Sequence, residues 1–205
     1  MSLNKKTIAI FDFDGTLTLG DTLLPFLLHS FGVGKVFLGL IITSPYLLCY
    51  FLGLISNEKA KKHFIYFFLN DTSIKNIERC AKTFIDNKLN HKMRKNLINR
   101  LRWHQENKHI TVLVSASLDV YVLAWAKKFK FDYVECTNLY RNNGKFTGDF
   151  SGSNCYGSEK VIRLKNLFGE NFSDYKKYGY GDSYGDLEFL NLCDHKYFKK
   201  DLNTL

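Results

Sequence analysis

The chain has 205 residues, of which 45% are hydrophobic and 24% are charged, and its formal net charge is +9. This size and composition suit one large domain, or one domain with a sizeable insertion, and exclude an intrinsically disordered chain. The N-terminus has no secretory signal, and the five widely spaced cysteines form no metal-binding motif. We therefore expect a cytoplasmic protein with free thiols.

The first predicted element is a buried strand over residues 7–12, in the stretch IAIFDFDGTLT. The strand ends at two carboxylates, Asp12 and Asp14, and Gly15 then allows a tight turn that brings amide groups close to a ligand. Because residues i and i+2 of an extended chain share a face, the two carboxylates lie together at the strand end. One interpretation is a helix cap or turn, and the other is a site for a cation.

A long apolar segment follows over residues 22–57, and residues 36–57 contain no charged side chain and no histidine. Pro45, preceded by Ser44, interrupts it, because proline removes a helix hydrogen bond. We therefore predict two short helices, at 35–43 and 46–55, each too short to cross a bilayer core of about 30 Å. Two interpretations stay open: helices that pack on each other, or a face that contacts lipid.

The next predicted helical region, residues 58–109, carries most of the net positive charge, with 13 Lys and Arg against 5 Asp and Glu. Such a surface attracts phosphorylated substrates or anionic lipid, although solvated helix faces have the same composition. The region has no recognisable nucleic-acid-binding module, so no nucleic-acid partner is expected.

Strands and helices alternate in the second half of the chain. Asn143-Gly144 is a strong two-residue hairpin signal. The predicted elements are a strand over 109–117, a helix over 119–129, strands on both sides of the hairpin within 133–150, a helix over 158–168, a strand over 175–183 and a helix over 186–193. This alternation predicts an α/β fold with an open, doubly wound parallel sheet.

Two further polar groups follow buried strands. Ser115 ends the strand in VLVSAS, where its hydroxyl and the amide of Ala116 can bind an oxyanion, and Ser117 is a second candidate two residues later. Asp182 and Asp186 follow the strand before GYGDSYGDL. Carboxylates at adjacent strand ends suit a hard divalent cation such as Mg²⁺.

Four motifs in this order resemble those of the haloacid dehalogenase-like phosphohydrolases. They are DFDGTLT, the serine closing ITVLVS, Lys160 in GSEKV, and GDSYGD. The hairpin NNGKFTG and the long insertion resemble the phosphoserine-phosphatase-like branch. This resemblance implies a Rossmann-like core domain over residues 1–20 and 110–205, with an all-helical cap over 21–109 inserted between the first two motifs.

The resemblance also implies catalytic roles. Asp12 is expected to be the nucleophile that becomes an aspartyl phosphate, and Asp14 the general acid and then the general base. Lys160 is expected to neutralise charge on Asp12 and on the phosphoryl group.

The same resemblance implies the binding groups. Ser115, with Gly15 and Ala116, is expected to hold the substrate phosphate. Mg²⁺ is the expected cofactor, bound by Asp12, the backbone carbonyl of Asp14 and Asp182, with Asp186 acting directly or through water.

The substrate is less defined. The motifs GSEKV and YGDS and the apolar segment are similar to those of bacterial phosphatidylglycerophosphatases. We therefore expect a lipid phosphate or another phosphorylated small molecule with an apolar part, and an anionic membrane surface as a partner at the inner face of the membrane.

Two alternatives stay open: a phosphatase of a soluble phosphometabolite such as phosphoserine, or a non-catalytic membrane-associated binding protein on a phosphatase scaffold. No acidic residue lies between Asp21 and Glu58, which departs from the phosphoserine-cleaving pattern.

Overall fold

The computed structural model describes residues 6–203. Its strands are β1 (Thr7–Phe11), β2 (Thr72–Ser73), β3 (Ile110–Leu118), β4 (Tyr133–Thr137), β5 (Leu139–Asn142), β6 (Lys145–Phe150), β7 (Lys176–Gly181) and β8 (His195–Phe198). Its α-helices are α1 (Leu23–Phe51), α2 (Asn57–Leu69), α3 (Ile74–Asn87), α4 (Lys95–Glu106), α5 (Asp119–Lys128), α6 (Ser158–Phe168) and α7 (Leu187–Leu190).

Five strands form a parallel sheet in the order β4-β3-β1-β7-β8. The central strand is β1, where Ile10 pairs with Val112 of β3 on one side and with Gly179 of β7 on the other. The carboxyl end of β1 is therefore the switch point at which sheets of this kind bind ligands. The predicted α/β fold with a doubly wound parallel sheet is confirmed.

Helices cover both faces of the sheet. Successive side chains of a strand point to opposite faces. Accordingly, Ala9 and Phe11 of β1 pack with residues of α4 and α5, whereas Ile8 and Ile10 pack with residues of α6 and α7. All four side chains are fully buried, so two apolar cores fix the position at which β1 ends.

A second sheet joins the inserted segment to the core. Strands β5 and β6 form the predicted hairpin, and its turn residues Asn143 and Gly144 have the positive φ values, 47° and 77°, that this turn requires. Thr72 of β2 pairs with Phe146 of β6. The expectation of an all-helical insertion is therefore wrong at β2, because the free edge of β6 offers backbone hydrogen bonds to this short stretch.

The course of α1 differs from the two predicted helices. The helix continues through Pro45 to Phe51, and its interruption lies at Gly32, whose φ is 78° and ψ is 166°. Pro45 cannot donate to the carbonyl of Ile41, but the Ser44 hydroxyl donates to that oxygen at 2.7 Å. Because the carbonyl has a partner, the helix does not need to end there, and the predicted break at Pro45 is wrong.

After the interruption at Gly32 the helix continues over residues 33–51, with a length of about 28 Å. Among the residues described, 6–203, α1 is the helix whose length and composition would allow it to cross a membrane, and 28% of its most apolar window is buried. The predicted limit on helix length is therefore wrong for this segment.

The division into a core of residues 1–20 and 110–205 and a cap of residues 21–109 stays a prediction. Helix α4 of the inserted segment packs against β3. Just before α4, the Arg94 guanidinium donates to the carbonyls of Gly15 and Thr16 at 3.0 and 3.1 Å. The last part of the inserted segment thus supports the loop that follows β1.

Candidate active site

A cavity of about 480 Å³ lies at the carboxyl end of the parallel sheet. Three of its walls come from the turns after β1, from the end of β3 and from the turn after β7, and a fourth comes from α1 and α2. Of the predicted site residues, seven line this cavity: Asp12, Asp14, Gly15, Ser115, Ala116, Lys160 and Asp182. The eighth, Asp186, lies directly behind it in contact with Lys160.

Asp12, Lys160 and Asp186 form a buried ion cluster. The Lys160 ammonium donates to Asp12 Oδ1 and to Asp186 Oδ1, each at 2.6 Å. Burial alone would lower the pKa of Lys160, but the two carboxylates raise it above its usual value. Burial and the Asp186 charge raise the pKa of Asp12, and Lys160 opposes them. The lysine is therefore charged, and it stabilises the carboxylate form of Asp12.

The donor set fits a divalent cation. Carboxylate oxygens of Asp12, Asp182 and Asp186 all lie within 4.8 Å of one another. Burial and the Asp186 charge raise the pKa of Asp182, so the negative charge of this group is incompletely offset by the described side chains. Hard oxygen donors at this spacing are those that Mg²⁺ prefers. The residues present thus fit the expected cofactor.

Gly15 makes this close approach of segments possible. Its φ is +71°, and a Cβ built on it would lie 2.1 Å from Asp182 Oδ2. A larger residue would therefore displace the carboxylate from the cluster and would also be strained at this φ. The glycine of the first motif is needed for the position of the aspartate of the fourth.

Asp186 differs from Asp182 in its partners. Its Oδ2 accepts hydrogen bonds from the backbone N–H groups of Asp182 and Ser183 and from the Ser183 hydroxyl, at 2.8 to 3.2 Å. Asp182 Oδ1 accepts from the Thr16 hydroxyl at 3.3 Å. Asp186 therefore orients the turn and Lys160, and its expected role beside a cation, direct or through water, stays a prediction.

Asp14 is held by two hydroxyl groups. Thr22 donates to Oδ1 at 2.6 Å and Ser117 donates to Oδ2. Burial, followed by the charge of Asp21, raises the pKa of Asp14 to about 6, and the two hydroxyls oppose the shift. A carboxyl group with this pKa can donate and accept a proton near neutral pH, which suits the expected acid and base.

The two serines of β3 have different neighbours. Pairing of β3 with β4 is irregular between Val114 and Leu118, so the end of β3 is free to line the cavity. The Ser115 hydroxyl accepts from the Ser117 amide at 3.0 Å, and the Ser117 hydroxyl contacts Asp14 instead. This arrangement supports Ser115 as the phosphate-binding serine, and it gives Ser117 a positioning role that the sequence did not reveal.

Lys61 is a cavity residue that sequence reasoning missed. It lies on α2, and its ammonium donates to the carbonyl of Ala116 and, at 2.9 Å, to Asn154 Oδ1. Burial lowers the pKa of Lys61 to about 8, while Asp14 and Asp21 oppose the shift. In the sequence it is one lysine among thirteen basic residues of a region that resembles solvated helix faces, so no local signal distinguished it.

The remaining cavity wall is apolar. Besides Ala60, it is formed by Leu23, Leu47 and Tyr50 of α1, Phe64 of α2, and Tyr156 before α6. The cavity therefore has a polar floor at the sheet and an apolar upper wall, and the segment that was predicted to form the cap supplies most of that wall.

Comparison with known proteins identifies the family. Residues 9–191 match the model of the haloacid dehalogenase-like hydrolases. Protein CicA of Caulobacter vibrioides is 31% identical over 197 residues, which are 96% of this chain and 87% of that protein. The chain belongs to the haloacid dehalogenase-like hydrolase family.

Solved structures share the fold. A protein of unknown function from Bordetella pertussis Tohama I has a TM-score of 0.80 at 20% identity, covering 92% of this chain and 87% of the other. A phospho-aspartyl intermediate analogue of a phosphoserine phosphatase has a TM-score of 0.64 at 20% identity, covering 98% and 91%. The predicted membership in this hydrolase family is confirmed, whereas the nearer resemblance to phosphatidylglycerophosphatases is not confirmed.

Proposed function

We propose that the protein is a Mg²⁺-dependent phosphomonoester hydrolase that acts through an aspartyl phosphate on Asp12. One observation carries this proposal: the ends of β1 and β7 bring Asp12, Asp182 and Asp186 within 4.8 Å, with Lys160 at 2.6 Å from Asp12. Paired carboxylates in a buried site repel each other unless cations lie between them, and this arrangement supplies one ammonium group and a donor set for one metal ion.

In the first step the Asp12 carboxylate attacks phosphorus, and the bond from phosphorus to the leaving oxygen breaks. Asp14 gives its proton to that oxygen, and its pKa of about 6 supports this role. In the second step Asp14 takes a proton from water, whose oxygen attacks phosphorus. The Asp12 carboxylate and inorganic phosphate are then released.

The neighbouring residues hold the phosphoryl oxygens. Ser115, Gly15 and Ala116 line the cavity beside Asp12, and Lys160 offsets the charge that develops on the phosphoryl group. Asp12, Asp182 and the carbonyl of Asp14 would hold Mg²⁺, whose positive charge would let an anionic nucleophile approach a phosphate.

We propose that the substrate is a phosphomonoester with an apolar part. The support is the apolar upper wall, in which Leu47, Tyr50 and Phe64 lie above the polar floor. Such a wall stabilises an alkyl or aryl group by removing its surface from water, at about 25 cal/mol per Å².

A second candidate is a small zwitterionic substrate such as phosphoserine. Asp21 and Lys61 both line the cavity, and together they offer a carboxylate and an ammonium group to an amino acid. The structural neighbour that is a phosphoserine phosphatase supports the same candidate. A substrate screen separates the two: Lys61→Met should reduce turnover of phosphoserine much more than that of octyl phosphate if the zwitterion is correct.

Hydrolysis of p-nitrophenyl phosphate tests the reaction itself. We expect turnover with Mg²⁺, its loss with EDTA, and a decrease of at least about 10³-fold for Asp12→Asn. Asp86→Asn is the matched control, since Asp86 is exposed on α3 and pairs with Lys128. A lack of metal-dependent turnover across a broad panel of phosphomonoesters would favour the non-catalytic binding protein.

A further inference from the structure

One side of helix α1 presents apolar side chains to solvent. We define the α1 outer face by six of them, which are 50% to 80% exposed: Phe37, Leu38, Ile41, Ile42, Leu48 and Phe51. Large apolar patches of this kind on a protein surface mark interaction sites, because their exposure to water is unfavourable.

The outer face is wide. At 100° per residue, its six positions spread over about 180° of the helix circumference. The buried side of the same helix is a narrow strip at Val36, Gly39 and Thr43. A single partner helix covers a narrower stripe than this, whereas a lipid surface contacts every side chain that reaches it.

The charges around the outer face favour an anionic surface. Residues 36–57 carry no charge, and no acidic residue lies between Asp21 and Glu58. Lys35 directly precedes the uncharged segment, and Lys59 follows it after Glu58, which pairs with Lys62; both Lys35 and Lys59 are exposed. Lysines beside an apolar surface strengthen binding to anionic headgroups.

We propose that the α1 outer face docks on an anionic lipid bilayer, with α1 lying in the interface between headgroups and acyl chains. The proposal does not rest on catalysis. If the proposed function is also correct, docking brings the catalytic cavity to the bilayer, because Leu47 and Tyr50 of the same helix line that cavity.

The packing of α1 explains why it lies on the bilayer instead of crossing it. Gly39, within the helical part over residues 33–51, faces Phe67 and Phe68 of α2. Helix α2 in turn packs against β6 and forms the ion pair between Lys62 and Asp149. A spanning α1 would carry this strand and these charges to membrane depth, where they are strongly disfavoured.

Co-sedimentation of the full chain with vesicles tests the proposal. We expect binding to vesicles of phosphatidylcholine and phosphatidylglycerol at 3:1, and weaker binding to phosphatidylcholine alone. The double variant Phe37→Asp/Ile41→Asp should lower the partition coefficient at least tenfold. Its hydrolysis of p-nitrophenyl phosphate and its circular dichroism spectrum should stay unchanged, since both side chains are exposed and lie outside the cavity.

Two further variants separate the possible causes of failure. Ile162→Asp is the matched control, since Ile162 is a 49% exposed residue of α6, outside the outer face, and it should bind vesicles like the unmodified chain. Asp12→Asn should also bind them fully, because docking requires no turnover. Loss of activity with intact binding would therefore contradict only the proposed function.

Three results would overturn the proposal. One is a lack of binding of the unmodified chain to the anionic vesicles. Another is equal binding of Phe37→Asp/Ile41→Asp and the unmodified chain. The third is a dimer in sedimentation equilibrium that the double variant converts to a monomer without any vesicle binding, since the outer face would then be an interface between two copies.

Discussion

The carboxyl end of the sheet and the α1 outer face depart from the usual distribution of side chains in opposite ways. At the sheet, charged groups are buried: Lys160 is 2% exposed and Asp186 is 0% exposed. On α1, apolar rings are exposed, Phe37 by 64% and Phe51 by 80%. Buried charges and large exposed apolar patches are the informative departures in a folded chain. The buried charges are offset by ion pairs inside the molecule, whereas the exposed apolar side chains of α1 require a partner outside it.

Removing the buried ammonium group of Lys160 should have the largest effect on stability. Lys160→Met leaves Asp12 and Asp186 buried without the ammonium that contacts both at 2.6 Å. We expect a loss of about 3–5 kcal/mol in the free energy of unfolding, measured by urea denaturation in metal-free buffer. Lys165→Met, an exposed position on the same helix, should change it by less than about 0.5 kcal/mol. Equal stability of the two variants would show that the Lys160 ammonium does not offset the buried charges of Asp12 and Asp186.

The next largest effect concerns the contact between Gly15 and Asp182. Gly15→Ala places a Cβ 2.1 Å from Asp182 Oδ2 at a φ of +71°. Because misplacement of a reacting group by about 1 Å costs roughly 100-fold in rate, we expect a decrease of this size in kcat/KM for p-nitrophenyl phosphate. Gly34→Ala is the control, since nothing lies within 4 Å of the added carbon. Full activity of Gly15→Ala would mean that the Asp182 position does not matter.

A buried histidine away from the cavity, His104, should make the stability of the fold depend on pH. His104 contacts Tyr180 and His109, and burial, followed by the His109 and Arg100 charges, lowers its pKa to about 3. The unfolded chain, with an ordinary pKa of about 6.5, binds the proton first as the pH falls. His104 therefore destabilises the fold progressively below pH 6.5 and has no such effect above it.

His104→Gln checks this pH dependence. Between pH 7 and pH 5 the unmodified chain should lose up to about 2 kcal/mol more unfolding free energy than the variant. The comparison uses urea denaturation at both pH values, with exposed His91→Gln as the control. Parallel pH profiles for the unmodified chain and His104→Gln would exclude this contribution.

The smallest expected effect is in α1. Ser44→Ala removes the hydrogen bond to the Ile41 carbonyl that Pro45 leaves unpaired, and at this exposed position we expect a loss of about 0.5 kcal/mol. The double variant Ser44→Ala/Pro45→Ala should recover the loss, because an alanine in place of the proline restores a backbone donor to the same oxygen. No recovery in urea denaturation would mean that Ser44 does not support the helix through Pro45.

The sequence allowed prediction of β1, β3 and β7 and of the site residues that follow them, because both depend on local signals. A buried apolar run that ends in Asp12 and Asp14, or in Asp182, needs only the rule that parallel strands end at one edge. The Asn143-Gly144 turn was predictable for the same reason, since its backbone conformation restricts the residue type.

The sequence did not allow prediction of the features that depend on a partner elsewhere. The continuation of α1 depends on whether the Ser44 hydroxyl meets the Ile41 carbonyl. The two residues of β2 form a strand because β6 is adjacent. Lys61 enters the cavity because α2 packs against α1 and β6, which no spacing around Lys61 reveals.

The most direct test of the account is to trap the covalent intermediate. Borohydride reduces an aspartyl phosphate to homoserine, so the enzyme can be mixed with substrate and Mg²⁺, quenched with borohydride, digested and examined by mass spectrometry. The account predicts homoserine at position 12, absent without substrate and absent in Asp12→Asn. Turnover in the Asp12→Asn variant at the unmodified rate, or reduction at another aspartate with position 12 unchanged, would contradict it.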